Sequence, residues 1–132
     1  MTTARYLSPA WHEQVLVLAQ GVPEKPGATA NVGYHVTGGP EGDIHYFMVV
    51  VDGRVREQAL GDRDDLDVTL VSTYDDSVRV QRGELDANAA FMQGKVKVAN
   101  GGRMGKLMAL MPLTMSPDYK RISAEIRAIT EF

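Results

Sequence analysis

Apolar positions recur along the chain with two different periods, and each change of period marks a new element. After Ser8-Pro9, Trp11, Val15 and Leu18 fall at i, i+4 and i+7, and Gly21 follows. A hydroxyl cap, a proline at the first helical position and a closing glycine frame that stripe as a helix. Residues 22–30, VPEKPGATA, contain two prolines, which deny helical and ladder bonds and predict a loop. The period then shortens to two. Val32, Tyr34 and Val36 share one face of a strand over 32–37, and GGPEGD makes a turn over 38–43. IHYFMVVV, over 44–51, is rich in β-branched and aromatic residues and reads as a strong strand. Asp52-Gly53 is a hairpin signal, and RVREQAL over 54–60 suits an edge strand with its charges outward. These three strands form an antiparallel meander.

Past an acidic turn over 61–67, DVTLVST at 67–73 supplies a fourth strand. Asp75 and Asp76 suit a helix start, Arg79 and Arg82 its end, and Gly83 its stop. Asp86 caps a short helix over ANAAFMQ that Gly94 closes. KVKVA at 95–99 alternates as a fifth strand, with Val96 and Val98 on one face. Residues 103–111 form a short helix that Pro112 ends. Ser116-Pro117 opens the last helix, with Tyr119, Ile122, Ile126 and Ile129 on one stripe. The expected fold class is a two-layer α/β (α+β) arrangement in a single domain over 1–132. A five-stranded, mostly antiparallel sheet carries helices on one face, because its strands alternate apolar and polar.

Composition narrows the function. The chain has 132 residues, 44% of them apolar and 23% charged, so it can bury a core unaided. It has no cysteine, which excludes disulfides and thiolate metal sites and suits a reducing compartment. A net charge of −3 argues against a nucleic-acid partner. No apolar run approaches the roughly 20 residues that span a bilayer. The opening MTTARYLSPAWHE lacks the apolar core of a signal peptide, and the closing AITEF carries no peroxisomal or prenylation signal. The expectation is a cytoplasmic protein with no stable membrane insertion.

The stretch GKVKVANGGRMGKLMALMPL, 94–113, raises two chemistries. As a Walker loop it fails, because Asn100 stands at the first glycine position and Leu107 follows Gly105-Lys106. What remains is a turn, with Arg103 and Lys106 near a helix start where an anion could sit. The stripe Met104, Leu107, Met108, Met111 falls at i, i+3, i+4 and i+7. It reads as a core helix or as the wall of a pocket, since methionine adapts to irregular apolar shapes. His35 and His45 flank the 38–43 turn and could face each other, but no third metal ligand is evident; a catalytic zinc normally takes three. His12, beside Glu13, is expected on the surface. Asp62, Asp64, Asp65 and Asp67 lack the glycine and glutamate of a calcium loop. They read as caps and solubility. No cofactor and no metal are expected. A small isomerase or cyclase would need a titratable group in its cavity, and Tyr119 is the nearest polar candidate. In IHYFMVVV both faces are apolar, so a second copy or an enzyme partner is the expected cover for the helix-free face.

From about 67 to 113 the order of features resembles the sterol carrier protein type-two family. The resemblance rests on a strand ending in Ser72, the acidic helix start Asp75-Asp76, and the piece GELDANAAFMQGKVKV. There Gly83, Ala90, Phe91, Gly94, Lys95 and Lys97 fall where the family has them, and a Met/Leu-rich helix follows. The resemblance implies a hydrophobic tunnel between sheet and helices. It implies non-enzymatic binding and transfer of sterols, fatty acids or fatty acyl-CoA. It makes Phe91, Val96, Met104, Leu107, Met108, Met111, Ile122 and Ile126 candidates for the lining, with Arg103 and Lys106 at the tunnel mouth. Family domains also occur as accessory modules at the end of larger enzymes.

Overall fold

The computed structural model describes residues 3–99, 104–110, 113 and 115–132. Strand β1 (Ala4–Arg5) leads into helix α1 (Pro9–Ala19), and the meander β2 (Ala30–Gly39), β3 (Gly42–Val51) and β4 (Arg54–Leu60) follows. Then come β5 (Val68–Thr73), α2 (Tyr74–Gln81), α3 (Ala87–Met92), β6 (Val96–Val98), α4 (Met104–Ala109), α5 (Pro117–Ile129) and β7 (Thr130–Glu131). The five-stranded sheet has the order β4-β3-β2-β5-β6. Among the described residues, only β2 and β5 pair in parallel within it.

Local chemistry explains the boundaries. Ser8, Thr73, Asp86 and Ser116 each accept a hydrogen bond from a backbone N–H in the first turn of the helix they precede, which satisfies a donor that the helix leaves free. Asp52 and Gly53 have φ of 48° and 82°, as a two-residue hairpin of the primed kind requires. That turn is docked on the preceding loop. Lys25 N donates to Asp52 O at 2.6 Å and Gly53 N to Ala28 O at 2.8 Å.

The helices pack on one face of the sheet. Val32, Val50 and Val68 are buried there with Leu110, Leu113 and Ile122. A second cluster joins Tyr6, Trp11, Val15, Val36, Tyr46 and Ile129. At the chain ends β1 pairs with β7 in parallel, Ala4 opposite Thr130, a contact the sequence pattern does not reveal. Beside it, Trp11 Nε1 donates to Thr130 Oγ1 at 2.8 Å.

One expectation is corrected. His12 is not on the surface; it is 2% exposed, with its ring 4.9 Å from that of Tyr46. Helix α1 packs against both β4 and α5, so it buries Trp11 and His12 together rather than one narrow stripe.

The helix-free face has a cover of its own. Between β4 and β5 the chain crosses this face. The Arg63 guanidinium lies 5.2 Å from the centre of the Phe47 ring, a cation–π distance. Arg63 is held by Asp65 and Glu57, each at 2.7 Å. Leu66 presses on Gly33 so closely that a Cβ there would come within 2.5 Å of its Cδ1. Phe47 is buried as a result.

Candidate functional site

A row of aligned positions crosses all five strands on the helix side: Leu60, Tyr46, Tyr34, Leu70 and Val98. Side chains paired directly across strands point to the same face, so this row looks toward α4 and α5. The Tyr34 and Tyr46 rings stack, with centroids 4.5 Å apart and an angle of 9°. Leu107 on α4 and Ile126 on α5 pack from the other layer.

This interlayer region has apolar side chains that are only partly buried. Tyr34, Met48, Leu70, Val98, Leu107 and Ile126 all pack against the core, yet each is only half-buried. For β2 and β5, which have neighbours on both sides, that exposure lies on the helix-facing surface.

Three phenols add the polar chemistry. Burial raises the pKa of Tyr34, with the nearby Tyr119 and Tyr6 phenols adding to it. Burial likewise raises Tyr46 and Tyr119. The Tyr119 side chain still keeps 36% of its surface accessible. Among the described residues none of these three hydroxyls has a hydrogen-bond partner. They are neutral donors at ordinary pH.

The structure gathers some of the residues expected at the site and separates others. Ile122 is in the core cluster, and Leu107 and Ile126 pack against it. Val96 is half-buried on β6 opposite Ser72. Phe91 and Met108 are 38% and 59% exposed. Lys106 is exposed on α4. Arg103, Met111 and the side chain of Met104 lie outside the described residues. Tyr34 and Tyr46 were not among the residues expected here, because a strand tyrosine at period two signals only a buried face.

His12 adjoins this region without serving it. Gln58 Nε2 donates to its Nδ1 at 3.1 Å, and its Nε2 is sealed and unpartnered. The open grooves on the outer surface lie elsewhere; one, of about 400 Å³, is lined by Tyr74, Val78, Arg82 and Phe132.

Comparison with known proteins decides the family, since the model of the SCP-2 sterol transfer family matches residues 15–115. The chain belongs to that family. No curated protein matches the chain by sequence. Solved structures of sterol carrier proteins share its fold. A crystal structure of sterol carrier protein 2 superposes with a TM-score of 0.70 at 15% identity, covering 95% of this chain and 99% of the other. A conserved hypothetical protein of Thermus thermophilus gives 0.63 at 13% identity, covering 100% and 94%. Palmitated SCP2L2 of Aedes aegypti gives 0.54 at 15% identity, covering 76% and 85%. Family membership makes lipid binding and transfer the general activity of this fold.

Proposed function

We propose that this chain, as one domain in the cytoplasm, carries a single lipid without covalent chemistry. The lipid lies between the sheet and helices α4 and α5. The observation that carries the reading is the row Tyr34–Leu70–Val98 with Leu107 and Ile126 opposite: apolar surface turned inward and only partly covered. An acyl chain would cover it. Burying one CH₂ contributes about 0.8 kcal/mol, so a sixteen-carbon chain gains roughly 12 kcal/mol gross. Association costs of roughly 4–15 kcal/mol leave binding near the micromolar range.

The phenols suggest how the ligand lies. Tyr34, Tyr46 and Tyr119 offer neutral hydroxyls at the end of an apolar lining. They suit the hydroxyl of a sterol, which donates and accepts, or the carboxylate of a fatty acid, which accepts. The palmitated state of the Aedes aegypti relative supports a fatty acyl ligand. Arg103 and Lys106 would stand at the mouth, where an acyl-CoA would place its phosphates. A carrier reading is favoured over an isomerase because the histidine beside the space, His12, has its Nε2 sealed away, and the phenols there are held protonated by burial, so none of these described groups offers a general base.

The test is native mass spectrometry of the protein as purified, with lipid extraction, followed by titration with palmitate and cholesterol. One lipid per chain, or saturable uptake of one, is the expected result. A chain that arrives empty and takes up neither at ten micromolar would end the carrier reading.

A further inference from the structure

His35 and His45 occupy directly opposed positions on β2 and β3. They alternate with Tyr34 and Tyr46, so they project from the helix-free face, away from the lipid space. Their rings stack with centroids 3.8 Å apart and an angle of 9°. The third group comes from the crossing loop. Asp62 Oδ1 lies 3.4 Å from His35 Nε2, and Asp62 Oδ2 lies 3.1 Å from His45 Nδ1. One donor atom from each residue falls within 4.8 Å of the other two. We propose that His35, His45 and Asp62 form a binding site for a borderline divalent transition-metal ion, zinc before others.

The donor set selects the class of ion. Two neutral imidazoles and one carboxylate match zinc, copper, nickel or cobalt. Calcium and magnesium prefer oxygen alone. The two N···O separations bracket about 3.3 Å, the edge of a tetrahedron built on bonds of about 2.0–2.1 Å. Three protein ligands leave a fourth position for water. For both nitrogens to aim at one ion the stacked rings must fan apart, and both are more than a third exposed, which leaves room for the turn.

The placement is built rather than incidental. Strand β2 lies between β3 and β5, so His35 rides on an interior strand. Gly61, with φ of 116°, donates its N–H to His45 O at 2.8 Å and so fixes the residue before Asp62. Arg63, the residue after it, is clamped by Asp65, Glu57 and the Phe47 ring. Asp62 is held from both sides.

The experiment is isothermal titration of the full chain with zinc chloride at pH 7.5, with calcium and magnesium as controls. One equivalent of zinc should bind, and neither control ion should. His35→Gln, His45→Gln and Asp62→Asn should each weaken binding at least tenfold, while His12→Gln should leave it unchanged. Imidazole ¹⁵N shifts of the wild-type chain give a reading that does not depend on variants folding. Zinc should move the signals of His35 Nε2 and His45 Nδ1. Absence of binding at 100 micromolar zinc, or binding that survives Asp62→Asn, overturns the three-ligand site.

Discussion

Gln58 Nε2 on β4 donates to His12 Nδ1 on α1 across 3.1 Å. That bond assigns the ring proton to Nε2 and keeps the imidazole neutral inside the protein. Burial lowers the His12 pKa from 6.5 to about 4. The unfolded chain therefore takes up a proton near pH 6.5 that the folded chain refuses until near pH 4. The stability this withholds is fully present above pH 6.5 and is lost as the pH falls toward 4, by roughly 3 kcal/mol. Urea titrations at pH 7.5 and 4.5 should show the loss, and His12→Gln should flatten it. Equal acid sensitivity in the two proteins would remove His12 as its source.

The indole N–H of Trp11 is satisfied by Thr130, whose hydroxyl in turn donates to Ile126 O at 2.5 Å. Thr130→Val keeps the shape and removes both bonds. Leaving a buried donor unpaired costs about 1–3 kcal/mol. Thermal unfolding should register that loss, and an unchanged melting temperature would mean water replaces the hydroxyl.

Gly53 and Gly27 separate two kinds of glycine requirement. Both have positive φ, 82° and 89°, but a Cβ on Gly53 would lie 2.7 Å from Lys25 N, whereas one on Gly27 meets nothing. Gly27→Ala should cost about 1–2 kcal/mol from backbone strain alone. Gly53→Ala should cost clearly more, because the docked loop must also shift. Equal losses in denaturant titration would deny the close approach any role.

Within the proposed lipid space, Val98→Trp adds bulk to the aligned row. It should lower palmitate affinity tenfold or more while the melting temperature changes little. Tyr34→Phe with Tyr119→Phe should weaken palmitate and cholesterol more than a hydrocarbon of equal length, because only the former use the hydroxyls.

At the mouth, Arg103→Glu with Lys106→Glu should weaken palmitoyl-CoA and spare cholesterol. Unchanged affinity for the CoA ester would discard the charged mouth.

The sequence disclosed what is decided locally. The meander is legible from period-two alternation and from Asp52-Gly53, and the helix starts from Ser8-Pro9 and Ser116-Pro117, because caps and turns act within a few residues. Contacts made over long distances were hidden. Asp62 follows His45 by 17 residues and reaches it only because the chain crosses the sheet there. The burial of His12 depends on Tyr46 and on Gln58, which follows it by 46 residues. The two-residue pairing of β1 with β7 is too short to leave a periodic signal.

The segment laid over the helix-free face changes what a visitor there would encounter. Phe47, the apolar anchor a docking protein would seek, is roofed by a guanidinium pinned between two carboxylates. Anything that settles on this side must match ionic chemistry or first peel the roof away, and a metal at Asp62 would rivet it down.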